Sequence, residues 1–288
     1  MLVLRAPAKV NLTLEVLARR ADGYHALRSV MVPIGLYDEI RLEPSAAPAF
    51  FASDAALGVD NSVSRALEAV EARPYRVTLE KRIPAGAGLG GGSSDAASVL
   101  AAASEGRLGG IPERDWLATA RTLGSDVPFF LTGTAALVEG TGERVTALGA
   151  LPPWWVVVVR PKVAIATAEA YRMLAERRER EPIPSGNRAA SVSLALLSAL
   201  QRGAFTDVVA LASNDFHEPT VERFPEIARA HGALASAGAT RSLLSGSGSC
   251  LFALCCDELT ARALAKRVDR AAVADVYVAP FVASERWR

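Results

Sequence analysis

A chain of 288 residues, half of them apolar, holds enough material for one large or two moderate domains with buried cores. A net charge of +1 with no long basic run excludes a surface built for nucleic acid, and no apolar stretch reaches membrane-spanning length. Three cysteines, two of them adjacent, make no disulfide framework and point to a reducing cytoplasm.

The N-terminal Met1–Arg5 is too short for a signal peptide and is expected to lead straight into structure. Val10, Leu12, Leu14 and Val16 alternate with Asn11, Thr13 and Glu15, which predicts a strand with one polar face. Arg19–His25 follows as a polar turn marked by Asp22-Gly23, and Ser29–Pro33 and Asp38–Glu43 read as further strands. Asn61 or Ser62 suits the cap of a helix on which Val63, Ala66, Leu67 and Val70 share a face. Tyr75, Val77 and Leu79 alternate with Arg76, Thr78 and Glu80 as in a half-buried strand. An alanine-rich helix runs from Asp95 towards Gly106, and Pro112 opens another through Trp116 and Leu117 that Gly124 ends. Ala135–Glu139 reads as a strand.

Leu151-Pro152-Pro153 marks the boundary between residues 1–152 and 153–288. Beyond it Trp154–Val159 is continuously apolar, as in a strand covered on both faces. Helices follow near Thr167–Arg178, Val192–Arg202, Asp207–Ala212, Pro225–Ala237 and Leu259–Ala271, with strands at Cys250–Cys255 and Asp275–Val282. Strands early and helices late predict an α+β fold in two lobes with a cleft between them.

Between the Tyr75 strand and the alanine-rich helix lies Pro84-Ala85-Gly86-Ala87-Gly88-Leu89-Gly90-Gly91-Gly92-Ser93-Ser94. Its glycines leave N–H groups unobstructed, and the positive end of the helix points back at them. Together they predict a nest for a phosphate chain, with Ser93 and Ser94 placed to cap the helix or reach a metal-bound oxygen. A flexible linker is the plain alternative. Asp95 would repel a phosphate if it faced inward, so it is expected to face out. Gly86–Gly91 fits G-x-G-x-x-G, yet no acidic residue closes a second strand about 20 residues on. No lysine follows Gly92 as in a Walker A loop; the cations Lys81 and Arg82 precede the glycines. A third way of holding nucleotide phosphates remains.

A kinase must position a nucleophile, neutralise phosphate charge and accept a hydroxyl proton. Lys9, in Pro7-Ala8-Lys9-Val10-Asn11, and Asp126, in Leu123-Gly124-Ser125-Asp126-Val127-Pro128, can do this only if the fold unites them. A lysine beside a carboxylate keeps it ionised, and the pair can orient and activate an alcohol. Each also has a plain reading: a surface lysine, and a cap for Val127–Leu131. Tyr24 and His25 either pack a corner or meet a base by stacking and edge hydrogen bonds. The Ser245–Gly248 turn is either a tight connection or a set of amides facing the cleft. His25, His217 and His231 lack metal-ligand spacing.

Pro7–Leu12, Pro84–Ser94 and Leu244–Gly248 resemble, in order, the three signature motifs of the GHMP kinase superfamily, which includes galactokinase, homoserine kinase and mevalonate kinase. The Asp22-Gly23-Tyr24-His25 turn, together with Leu123–Phe129, is similar to the branch that acts on a cytidylated alcohol. The resemblance implies a two-lobed α+β fold: a ribosomal-protein-S5-like lobe that holds ATP over residues 1–152, and a smaller C-terminal domain over 153–288. It implies ATP-dependent phosphorylation, with Mg²⁺, of the 2-hydroxyl of a diphosphocytidyl-methylerythritol of isoprenoid synthesis. It further implies no nucleic-acid or membrane partner and a monomer or weak homodimer.

By the same resemblance Asp126 takes the hydroxyl proton, and Lys9 holds that carboxylate and the hydroxyl. Pro84–Ser94 wraps the ATP phosphates with Asn61 and Lys81 nearby; Tyr24 and His25 recognise cytosine, and Asn11 lines the substrate site. Ser94 is a candidate metal ligand with no acidic partner assigned. A sister kinase with a mevalonate-like substrate and a non-catalytic nucleotide-binding protein of the same fold are the alternatives. An NAD(P) dehydrogenase lacks its ribose-binding acid.

Overall fold

A computed structural model describes residues 1–19, 23, 25–54, 57–109, 111–180 and 191–283. In chain order the first strands are β1 (Leu2–Asn11), β2 (Thr13–Arg19), β3 (His25–Pro44), β4 (Ala49–Ala52), β5 (Tyr75–Glu80), β6 (Ala136–Gly140) and β7 (Arg144–Ala147). Then come β8 (Trp155–Arg160), β9 (Ser213–Asn214), β10 (Leu243–Leu244), β11 (Leu251–Cys255) and β12 (Asp275–Pro280). The helices are α1 (Ser62–Ala69), α2 (Gly91–Ser104), α3 (Trp116–Leu123), α4 (Val127–Leu131), α5 (Thr167–Arg180), α6 (Val192–Gln201), α7 (Phe205–Leu211), α8 (His217–Arg223), α9 (Pro225–Ser236) and α10 (Glu258–Arg267). The mixture bears out the expected α+β class. None of the described helices is long and apolar enough to cross a membrane.

β3 organises the first sheet, pairing with β1 and β2 along one edge and with β5 and β6 along the other. The two strands expected at Ser29–Pro33 and Asp38–Glu43 are therefore one. Pro7 lies opposite Tyr37 and Ala8 opposite Ile34, so Gly35 and Leu36 have no β1 partner, and this irregularity interrupts the alternation that a strand displays in sequence. The alternating run from Val10 to Val16 likewise spans two strands. Its break at Leu12 is a bend, because Leu12 N–H still donates to Val30 O at 2.8 Å. β4 and β7 escaped the sequence reading; each is four residues long, with largely accessible faces and little periodicity to read.

Capping chemistry sets the helices that matter for the site. Asn61 Oδ1 accepts from Val63 N and Ser64 N and so starts α1, as expected. α2 begins differently: Gly90 occupies the cap position in a left-handed conformation without any side-chain cap bond, so neither Ser93 nor Ser94 caps it. α3 starts at Trp116 rather than at Pro112, since the Asp115 carboxylate accepts from Ala118 N at 2.9 Å. Gly124 ends it as expected.

Three apolar cores hold the layers together. One lies between the first sheet and α1, α2 and α4, with Leu42, Leu79, Leu100 and Phe129. The second joins the sheets: Val10, Leu12, Val32 and Ile34 of the first meet Val156, Val158 and Phe281. The third buries Val157 and Val159 against Ile227, Leu234 and Leu264. β8 is thus covered on both faces, which is why its sequence is apolar without alternation, and burying each valine contributes about 1.5–3 kcal/mol. The order β10–β11–β8–β12 gives the later part of the chain its own antiparallel sheet.

Candidate active site

The three sequence motifs meet through backbone contacts. Lys9 N–H donates to Leu89 O at 2.9 Å, and Cys250 N–H donates to Ala87 O at 3.1 Å. Ser245 Oγ donates to Gly88 O at 2.9 Å, and Gly246 N–H donates to Asn11 Oδ1 at 2.8 Å. These contacts require glycine at two places. Gly88 has φ +78°, and a Cβ there would lie 1.9 Å from Ser245 O. Gly246 has φ +57°, and a Cβ would lie 3.2 Å from Lys9 Nζ. The Ser245–Gly248 turn is therefore a wall of the cleft, not merely a connection between strands.

Lys9 is buried, with its Nζ donating to Asn11 Oδ1 at 2.6 Å and standing 3.7 Å from Asp126 Oδ2. Burial lowers its pKa, and the nearby Asp126 carboxylate opposes that loss. Asp126 occupies the cap position of α4 yet makes no side-chain capping bond. Its side chain is 30% exposed. The carboxylate is thus free of the helix and turned to the lysine, so it is not the side-chain cap of α4 that its sequence also allowed. Asn11 completes the arrangement: its Oδ1 takes Lys9 and Gly246, and its Nδ2 donates to Ser29 Oγ at 2.8 Å. Lys9, Asn11, Ser29 and Asp126 line a hollow of about 260 Å³ together with Gly86, Gly88, Gly90 and Gly246.

A second hollow of about 300 Å³ opens on the other side of the glycine loop. Pro84, Ala85, Gly86, Ala87, Gly88, Gly90, Gly91, Gly92 and Ser93 line it, together with Asn61, Lys81 and Asp95. Leu89 does not; its side chain is fully buried in the core. Ser94 does not either. Its hydroxyl is buried without a hydrogen-bond partner and borders a separate hollow against Leu4, Arg5 and Pro7 of β1. The amide of Asn61 is fully engaged in the cap of α1 and in Gly58 O and Val59 O. Gly86 has nothing within 4 Å of where a Cβ would sit and Gly92 only the side chain of Ser62, at 3.7 Å, so at these two positions the loop presents backbone to the hollow, as a phosphate cradle requires.

Asp95 corrects one expectation: it faces inward and is only 1% exposed. Lys81 explains why the site tolerates it, for the ammonium bridges Asp95 Oδ2, at 2.8 Å, and Asp38 Oδ2. Asp38 is itself anchored by Arg82 N at 2.6 Å and Ile83 N at 2.9 Å. Burial raises the pKa of Lys81's partner Asp95 to about 7; Lys81 works against the rise and Asp38 with it. The Lys81 pKa is also raised: burial lowers it, but the two carboxylates outweigh burial.

The raised Asp95 value carries a sign for stability. Between its ordinary value of 3.8 and about 7 the folded protein holds a proton that the unfolded chain has released. Stability on this account is full below that window and falls as pH climbs through it. Asp95→Asn should therefore melt progressively higher than the wild type as pH rises from about 5 to about 8. A difference in melting temperature that stays flat across this range would count against the shifted carboxyl.

A wider hollow, of about 1120 Å³, adjoins the Lys9 site and is lined by His25, Leu27, Ser125, Thr141, Thr167 and Tyr171 among others. The His25 and Tyr171 rings stack at 5.5 Å, and Phe216 meets Tyr171 edge-on at 4.9 Å, so these rings are braced. Tyr24 lies outside the described residues. Tyr171 was missed by sequence reasoning because it sits inside a helical pattern, where an aromatic residue signals core. Asp38, at the head of a run read only as strand, carried no separate signal. Among the described residues no three His, Cys, Asp or Glu side chains gather as a metal centre.

A lysine–carboxylate pair beside a glycine-rich loop is the kind of arrangement that phosphoryl transfer requires. The comparisons agree: residues 61–134 match the GHMP kinases N terminal domain and residues 196–275 match GHMP kinases C terminal. The chain belongs to the GHMP kinase family and is an ATP-dependent small-molecule kinase. It is 38% identical over 274 residues to the 4-diphosphocytidyl-2-C-methyl-D-erythritol kinase of Pelotomaculum thermopropionicum, covering 92% of this chain and 93% of that one. With the enzyme of the same name from Geobacter sulfurreducens it shares 41% over 263 residues, 88% and 89% of the two chains. A crystal structure of 4-(cytidine 5'-diphospho)-2C-methyl-D-erythritol kinase superposes with a TM-score of 0.77 at 37% identity, covering 98% of this chain and 99% of that one. Mevalonate kinase from L. major, at 13% identity and a TM-score of 0.70 over 99% and 97%, shares the fold.

Proposed function

We propose that the chain transfers the γ-phosphoryl group of ATP to the 2-hydroxyl of 4-diphosphocytidyl-2-C-methyl-D-erythritol, within the non-mevalonate route to isoprenoids. The observation that carries this reading is the Lys9–Asp126 pair, 3.7 Å apart where the glycine-loop hollow and the aromatic cleft adjoin. Relatives of that name at 38% and 41% identity, matched over most of their length, support the substrate.

In this reading ATP lies with its phosphates on Pro84–Ser93, and the cytidylated alcohol enters along His25 and Tyr171. Asp126 accepts the proton of the attacking hydroxyl. Lys9 holds the carboxylate ionised and steadies the alcohol oxygen. Asn11, with both ends of its amide engaged, fixes the lysine. Positioning and charge neutralisation supply most of the rate in such a transfer. Mg²⁺ would come with the nucleotide and offset its phosphate charge; Asp126, the acidic side chain that lines the Lys9 hollow, would be available to hold it from the cleft side. We take residues 1–152 as the ATP-binding domain and 153–288 as the C-terminal domain. We further take the enzyme as a monomer or weak homodimer that acts in the cytoplasm, independent of nucleic acid.

An assay of ADP release, with the cytidylated alcohol and mevalonate compared in Mg·ATP, tests the assignment. Turnover with mevalonate and none with the cytidylated alcohol would overturn it. Base stacking on an aromatic side chain contributes about 1–3 kcal/mol, so Tyr171→Ala should raise KM for the cytidylated alcohol by roughly 5- to 150-fold. KM for ATP should hardly move. An unchanged KM for the alcohol would remove Tyr171 from the cytosine site.

A further inference from the structure

β9 is only two residues long, yet it carries one side chain that ties the later part of the chain to the reacting groups. It pairs parallel to β2, with Ser213 N–H donating to Leu12 O at 3.0 Å and Asp215 N–H to Leu14 O at 2.9 Å. Between them Asn214 is buried, with both ends of its amide hydrogen-bonded. Nδ2 donates to Leu244 O and to Gly246 O, both at 2.8 Å, while Oδ1 accepts from Phe216 N at 2.9 Å. Two carbonyls on one end and an N–H on the other fix which end is nitrogen.

Gly246 is held from its other side by Asn11. Its N–H shares Asn11 Oδ1 with Lys9 Nζ, and the lysine stands 3.7 Å from Asp126. We propose that Asn214 is a positioning residue for phosphoryl transfer: it sets the Ser245–Gly248 turn so that Gly246 holds Asn11, and Asn11 holds Lys9. The proposal rests on the kinase reading of this site. Lys9 has four side-chain torsions and would otherwise wander; a side chain fixed through one acceptor is misplaced when the other donor to that acceptor moves away. A misplacement of about 1 Å costs as much as 100-fold in rate.

His217 supplies an internal control. Its Nδ1 accepts from Leu244 N–H at 3.3 Å, so it supports the same turn upstream without touching Gly246. At a temperature where both variants are folded, Asn214→Ala should lower kcat by about 10- to 100-fold and leave KM for ATP within about threefold. Exchange of the Gly246 amide hydrogen should quicken. His217→Ala should lower the melting temperature too, but kcat should stay within about threefold. Wild-type turnover in Asn214→Ala, or an equal loss of turnover in the two variants, would overturn the proposal. Should Asn214→Ala fail to fold, Asn214→Ser retains one donor for one carbonyl and should lose about three- to tenfold in kcat; unchanged turnover there overturns it equally. The wild-type enzyme in the same assay separates failure of this proposal from failure of the kinase reading.

Discussion

Asp126→Asn should lower kcat by about 10²–10⁴-fold while KM for ATP stays within about threefold. Asparagine has the size and shape of aspartate but takes up no proton. The site therefore keeps its volume and loses only the charge and the basic oxygen. The carboxylate caps nothing, so α4 loses no hydrogen bond by the change. Lys9 feels the change most. Its ammonium is buried, and burial already lowers its pKa against the pull of Asp126. Without that counter-charge the lysine releases its proton more readily, so the variant should need lower pH for whatever activity it retains. In the proposed arrangement the ATP phosphates lie in the glycine-loop hollow, which Asp126 does not line, so nucleotide affinity is expected to survive. Rates that fall while the melting curve holds would assign the loss to chemistry; undiminished turnover would remove Asp126 from its role.

The second large effect concerns architecture. Gly88→Ala should destabilise the protein by at least about 3 kcal/mol and abolish tight ATP binding. Two causes act together. A left-handed φ costs an alanine roughly 1–2 kcal/mol, and the added methyl would fall 1.9 Å from a backbone oxygen, Ser245 O, that no side-chain rotation can move. Relief requires the glycine loop and the Ser245 turn to part, which breaks the Ser245–Gly88 hydrogen bond and opens the phosphate cradle. Gly86→Ala separates the causes, since Gly86 has a similar φ of +62° with nothing within 4 Å of the position a methyl would take. That variant should lose only about 1–2 kcal/mol. Thermal melts of the two proteins decide the matter, and equal losses would show that the contact with Ser245 is of no consequence.

What could be read from the sequence followed local rules. The glycine stretch announced itself, because a run of small residues between a strand and a helix has few other uses. The cap at Asn61 and the stop at Gly124 were legible for the same reason: each is a short-range demand of a helix end. The all-apolar run at Trp154–Val159 announced its double burial. The pairing of Lys9 with Asp126 came from resemblance, since nothing in either neighbourhood compels the two to meet. Asp95 was misjudged by weighing its charge against a phosphate alone. Its partner Lys81 lies 14 positions upstream, and Asp38 another 43 before that, so the neutralisation exists only in three dimensions. Asn214 belongs to the same class: an asparagine between helices reads as a turn residue until both carbonyls it holds are in view.

β3 lends residues to more than one hollow. His25 and Leu27 border the aromatic cleft, Ser29 and Met31 the Lys9 hollow, and Asp38 anchors Lys81 beside the glycine loop. One strand thus acts as a ruler that spaces the aromatic cleft, the Lys9–Asp126 hollow and the glycine loop. Such a ruler tolerates exchanges of residue better than changes of length: one amino acid inserted between Ser29 and Asp38 would slide the graduations past each other and turn every later side chain to the wrong face.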